Sequence, residues 1–199
     1  MVSAHHDHLG DGHLGANDNA SGTVALLAVA QAVVQRATPP KRTIVFALFG
    51  AEETGMNGSY FCAAHAPAGA PVEHMVQIIN LDMVGSHASR RKVLALGTFR
   101  GLAATKLLAK LDDKYPKLDV RYGGVARGSD FEPFCKAGVP YAFFWTPDAK
   151  CDHRTCDTPA RLDLPRMADI ASLAGDLTDA MSDSALDLAS ARRTRGCGR

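Results

Sequence analysis

Four histidines and three aspartates fall within the first nineteen residues, in the stretch "SAHHDHLGDGHLGANDNASG". Imidazole nitrogen and carboxylate oxygen are both ligands that zinc accepts. Further candidates lie far downstream: the pair Glu52-Glu53, then Asp82, then His153 in "CDHRTC". Two zinc ions bring four positive charges. Asp18, Glu53 and Asp82 supply three negative ones, and a bridging hydroxide completes neutrality, so no unpaired charge need be buried. Two such ions about 3.5–4 Å apart form the usual hydrolytic clamp.

Spacing selects among the crowded N-terminal histidines. A zinc-bound histidine usually donates its second ring N–H to a carboxylate. On a strand the partner lies two residues on, on the same face. His5 with Asp7 fits, His6 points to the opposite face, and His8 lies beyond the aspartate. The adjacent Glu52 and Glu53 diverge, so one can bind metal while the other faces the attacking water as general base. Taken singly, each residue has an ordinary role. Asp18-Asn19 reads as a helix N-cap, and Glu52-Glu53 as first-turn acids of a helix. Asp82 and His153 read as solvated loop residues.

What positions them is an alternation of strands and helices. Apolar residues at helical spacing run over 20–37 and stop before Pro39-Pro40. The continuous apolar run 42–50 predicts a strand buried on both faces. Further strands are predicted within 74–85, 92–97, 118–122 and 140–145. Helices are predicted within 58–66, 101–115 and 129–138, with a long one over 164–182 carrying Pro165 in its first turn. The pattern predicts an α/β sheet with helices on both faces. Ligands of such sheets sit beyond the carboxyl ends of the strands, where His5, Glu52-Glu53, Asp82 and the His153 loop all fall. The segment "MVSA" is at most the stub of a strand before His5, so the natural domain is expected to extend further toward the N-terminus.

Composition sets the outer limits. With 199 residues, 46 % hydrophobic and 22 % charged, the chain fits one globular domain. A formal charge of +1 gives no reason to expect a nucleic-acid partner. Residues 1–190 are read as the domain and the basic 191–199 as a frayed tail. No apolar run approaches the roughly 18 residues of a membrane span, and the polar "HHDH" stands where a secretory leader needs its apolar core. The five cysteines do not make a disulfide framework. Cys62 and Cys135 read as packed thiols, while Cys151 and Cys156 are either a disulfide or two thiols around His153.

Five motifs in order, "AHHDHLG", "GANDNASG", "GAEETGMNGS", "NLDMVG" and "DHRTCDTPARLD", resemble the di-zinc aminopeptidases of the bacterial leucyl aminopeptidase type. Glutamate carboxypeptidase, glutaminyl cyclase and the transferrin-receptor ectodomain are relatives of that family. The resemblance covers about His5 to Asp163. It implies a three-layer α/β/α sandwich with a mostly parallel mixed sheet, its N-terminal strands absent here, and two Zn²⁺ ions. It assigns His5 and Asp82 to one ion, Glu53 and His153 to the other, and Asp18 to both. Glu52 becomes the general base and Asp7 orients His5. A cis peptide is implied at Asp18–Asn19. Asp152 and Phe131 stand where many members have tyrosine and histidine. Ser129 and Asp130 contact substrate or cap a helix, Asp157 and Thr158 hold the His153 loop, Phe143, Phe144 and Trp145 belong to a core strand, and Met83 or Phe131 could line a pocket.

The implied activity is hydrolysis of the N-terminal peptide bond of substrates with a free α-amino group. The alternatives are a non-catalytic binding domain, or a carboxypeptidase or cyclase of the same fold. Compartment and oligomeric state are left open; relatives are often secreted or periplasmic.

Overall fold

Every predicted strand forms, and six of them make one sheet in a computed structural model that describes residues 1–189. The basic segment 191–199 lies outside the described residues. The strands are β1 (Val2–His5), β2 (Phe46–Phe49), β3 (Ile78–Leu81), β4 (Lys92–Leu96), β5 (Asp119–Tyr122) and β6 (Tyr141–Trp145). Their order is β2-β1-β3-β6-β4-β5, parallel throughout except where β4 meets β6 antiparallel. Val2–His5 form β1, an inner strand as long as β2 and β3 and buried along its whole length.

Alternation along the strands divides the interior in two. Val2 and Ala4 of β1, Ile79 and Leu81 of β3, and Ala142 and Phe144 of β6 face one core. The helices α1 (Gly22–Val34), α3 (Ala103–Leu111) and α5 (Leu164–Asp183) cover it. Ile78, Tyr141 and Phe143 face the other core, closed by α4 (Glu132–Lys136) and the flank of α2 (Asn57–Ala64). The result is the expected α/β/α sandwich. α5 starts as its sequence dictates, with Asp163 accepting a hydrogen bond from the Arg166 N–H at 3.1 Å and Pro165 in the first turn.

Two expectations are corrected. The apolar run 42–50 is not a strand buried on both faces, because β2 is the edge strand with only β1 beside it, and Leu48 is 40 % exposed. A continuous apolar run does not distinguish the two positions. Cys62 is a half-buried free thiol as read, but the buried Cys135 is disulfide-bonded and not a packed thiol.

Leu177 of α5 is fully buried where α1 and α5 meet over the sheet. Leu177→Ala is expected to cost about 2–5 kcal/mol, the range for deleting a packed leucine side chain. A denaturant melt should show a lower midpoint with an unchanged slope.

Candidate metal centre

The carboxyl ends of β1 and β3 and the segments after β2 and β6 converge on one rim. His5 ends β1 and is 1 % exposed. Its Nδ1 lies 3.2 Å from the Asp7 carbonyl, which can only accept, so Nδ1 carries the proton. Nε2 faces Asp18 Oδ1 at 3.2 Å and Asp82 Oδ1 at 3.4 Å, with Glu52 Oε2 at 4.0 Å, and holds there either a proton or a cation. His153, whose side chain is 59 % exposed, places Nε2 3.2 Å from Asp18 Oδ2 and 3.1 Å from Glu53 Oε2. The two Asp18 oxygens thus belong to two different donor sets, His5–Asp18–Asp82 and Asp18–Glu53–His153.

The sequence "NDNAS" explains how Asp18 is held. Asn17 Oδ1, Asn19 Oδ1 and Ser21 Oγ accept from the N–H groups of Gly85, Met83 and Val84, the three residues following Asp82. Asn19 Nδ2 also donates to the Leu81 carbonyl at 3.1 Å. The turn carrying Asp18 is thereby bonded to the exit of β3 that carries Asp82. Gly22 completes the approach, since a Cβ there would overlap the Leu81 carbonyl and the Asn19 side chain. The Asp18–Asn19 peptide is cis, as the resemblance implies.

Asp7 touches more than His5. Its carboxylate is 3.5 Å from His5 Nδ1 and accepts from the N–H groups of Glu52 at 3.2 Å and Glu53 at 3.3 Å. One residue so orients both the imidazole and the glutamate turn. A relay missed by sequence reasoning lies behind Asp82: Ser129 Oγ donates to Asp82 Oδ2 at 2.6 Å, Asn80 donates to Ser129 at 2.8 Å, and Ser3 donates to Asn80 at 2.7 Å. The available signal was polar Ser3 and Asn80 inside otherwise apolar strands. Ser129 is fully buried and contacts Asp82, which replaces the substrate or capping role read from sequence.

The donor chemistry fits divalent cations. A tetrahedral zinc with bonds of about 2.0–2.1 Å holds its ligand atoms about 3.3 Å apart, and the contacts above run from 3.1 to 3.4 Å. Glu53 Oε2 and Asp82 Oδ1 are buried without a hydrogen-bond donor. Among the described residues no lysine or arginine pairs with Asp18, Glu52, Glu53 or Asp82, so the excess negative charge faces the imidazoles alone. Burial pushes the Glu52 carboxyl up to about 8, with Asp82 and the buried Asp130 adding to the shift against His5. Burial, then Asp18, raises Glu53 to about 7. Burial disfavours the His5 cation, but Asp18 and Asp82 outweigh it and push the imidazole up to about 12. The cluster holds positive charge strongly, whether proton or metal.

A cavity of about 550 Å³ opens beside these groups, lined on its apolar side by Met83, Leu96, Val125, Phe143 and Trp145. Phe144 packs into the core under α1, α3 and α5, while Phe143 is buried in the second core with Trp145 packed against it, so the strand is core as read; Phe143 and Trp145 also border the cavity. Phe131 does not line the cavity. It is fully buried, stacked on Tyr141 at 4.1 Å and Phe143 at 5.2 Å. Asp152 and Arg127 line the polar side. Cys151 and Cys156 form a disulfide that closes the loop carrying His153.

A mostly parallel sheet that gathers carboxylates and imidazoles at its strand ends defines an α/β protein with a candidate metal-binding rim. The chain belongs to peptidase family M28, matching that family over residues 1–178. It is 34 % identical over 149 residues to aminopeptidase YwaD of Bacillus subtilis, a match covering 72 % of this chain and 31 % of that protein. The structure of BSAP, a zinc aminopeptidase from Bacillus subtilis, superposes with a TM-score of 0.78 at 24 % identity, over 94 % of this chain and 48 % of that one. The LapA aminopeptidase of Legionella pneumophila gives 0.78 at 26 % identity, over 93 % and 51 %. The chain therefore spans about a third to a half of these relatives.

Proposed function

We propose that this chain carries the catalytic centre of a zinc-dependent exopeptidase that removes N-terminal residues from peptides. His5, Asp18 and Asp82 would hold one ion, and Asp18, Glu53 and His153 the other. Bound zinc supplies Lewis acidity, polarising the scissile carbonyl and acidifying water. The observation that carries the reading is Asp18, one oxygen facing each imidazole, with the Glu52 carboxylate 4.0 Å from His5 Nε2 and outside both donor sets. Glu52 takes a proton from the attacking water and returns it to the leaving amine. Asp152 at the cavity wall gives the free α-ammonium of a substrate an acidic neighbour. Met83, Leu96, Phe143 and Trp145 receive the N-terminal side chain, so bulky apolar residues are preferred. Membership of the family, and aminopeptidases among the relatives, support the same reaction class.

Zinc per chain, measured with hydrolysis of aminoacyl anilides in the presence and absence of chelator, tests the reading. Two ions and chelator-sensitive release of leucine are expected. Arg127 is where a carboxypeptidase would seat a terminal carboxylate, so N-blocked peptides belong in the panel. Cleavage of those in place of the anilides overturns the N-terminal assignment. Trp145→Ala is expected to lower kcat/KM for leucyl and phenylalanyl anilides by roughly tenfold relative to alanyl anilide, the order of effect of lost apolar contacts in a specificity pocket. An unchanged ratio of the three substrates removes Trp145 from the side-chain pocket.

A further inference from the structure

Asp157 follows the disulfide-closed loop of His153 and is 6 % exposed. Its carboxylate points away from that loop, into the turn that carries Asp18. Oδ1 accepts from the Asn17 N–H at 2.8 Å, and Oδ2 accepts from Asn17 at 3.0 Å and Asp18 at 2.9 Å. Its own N–H donates to the Arg154 carbonyl at 2.9 Å, which anchors it to the loop. Among the described residues, every hydrogen bond between segments 148–158 and 15–21 ends on this carboxylate. Sequence reading gave Asp157 only the task of shaping its own loop.

We propose that Asp157 is a positioning residue that sets His153 at the distance from Asp18 needed for the second cation. This rests on the metal assignment above. The two donor sets depend on different supports. His5–Asp18–Asp82 is secured by Asn17, Asn19 and Ser21, which bind the exit of β3. Asp18–Glu53–His153 depends on Asp157, because His153 sits at a left-handed φ of 53° in a largely exposed loop. Charge-assisted bonds from buried N–H groups are about twice as strong as neutral ones, and Asp157 gathers two such groups, Asn17 N–H shared between both oxygens and Asp18 N–H, where the two segments meet. Losing them frees one set and leaves the other in place.

The test is zinc titration by calorimetry against a competing chelator, on the wild-type chain and on Asp157→Asn. Asparagine keeps the shape but turns an N–H₂ toward donors, so at least one bond is lost. The first zinc is expected to bind within threefold of wild type and the second 10–100-fold more weakly, the scale of losses from groups that orient ligands. Asp157→Glu, which keeps both acceptors, is expected to recover at least tenfold of that loss. It also carries the test if the asparagine variant fails to fold. Two unchanged affinities in Asp157→Asn, or parallel loss of both ions, overturns the positioning role and leaves the proposed function standing. A wild-type chain that binds no zinc overturns both.

Discussion

Glu52→Gln is expected to retain its zinc and to lose roughly 10²–10⁴-fold in turnover, the usual contribution of a positioned general base. The amide is nearly isosteric, and neither donor set includes Glu52. Its N–H contact with Asp7 is a backbone bond and survives the change. Removing the carboxylate also removes one negative charge from beside His5 and Asp82. The folded chain should therefore be at least as stable as wild type. Zinc content, kcat and Tm measured on one preparation distinguish the possibilities. Near-normal kcat removes Glu52 from the reaction, whereas lost zinc reassigns it to the ligands.

The second large effect joins stability to pH. Glu52 and Glu53 start from 4.5 and rise in the folded chain to about 8 and about 7. Below pH 4.5 both are protonated in folded and unfolded chains alike. As pH climbs from there, the unfolded chain releases these protons first, so without metal the fold loses stability across that window. His5 acts with the same sign: its stabilising proton is fully present below 6.5 and is lost toward about 12. Zinc competes with these protons and binds better as pH rises. The increase in Tm on adding zinc is therefore expected to grow between pH 5.5 and pH 8. A free concentration a thousand times Kd stabilises by about 4 kcal/mol. Scans at matched ionic strength check it, and an increment that is flat or shrinks with pH refutes the linkage.

How far the sequence spoke depended on the range of each interaction. Strand alternation and the placement of acids and histidines at strand ends are local patterns. They suffice to bring positions 5, 18, 53, 82 and 153 to one rim, and the structure gathers those side chains there. The bonds that hold the rim are not local. Asn17 and Asn19 reach residues more than sixty positions away, and Asp157 reaches back about 140. Each looks like turn chemistry until its partner is known. The Ser3–Asn80–Ser129 relay has the same character, because three strands and loops must be in register before the hydroxyls meet. The run 42–50 failed for another reason: apolar content does not reveal how many neighbours a strand acquires. β6 is core as read, but a fully apolar strand hides which of its faces also meets a cavity.

That strand has a consequence for how such a protein could diversify. Odd-numbered positions 143 and 145 border the cavity, while 142 and 144 are locked into the packing beneath α1, α3 and α5. Exchanges at the odd positions can reshape the ligand surface without disturbing the even ones. The division is not complete, because the Phe143 ring that borders the cavity also stacks on Phe131 in the second core; Trp145, only partly buried at the end of the ribbon, is the freer of the two to vary.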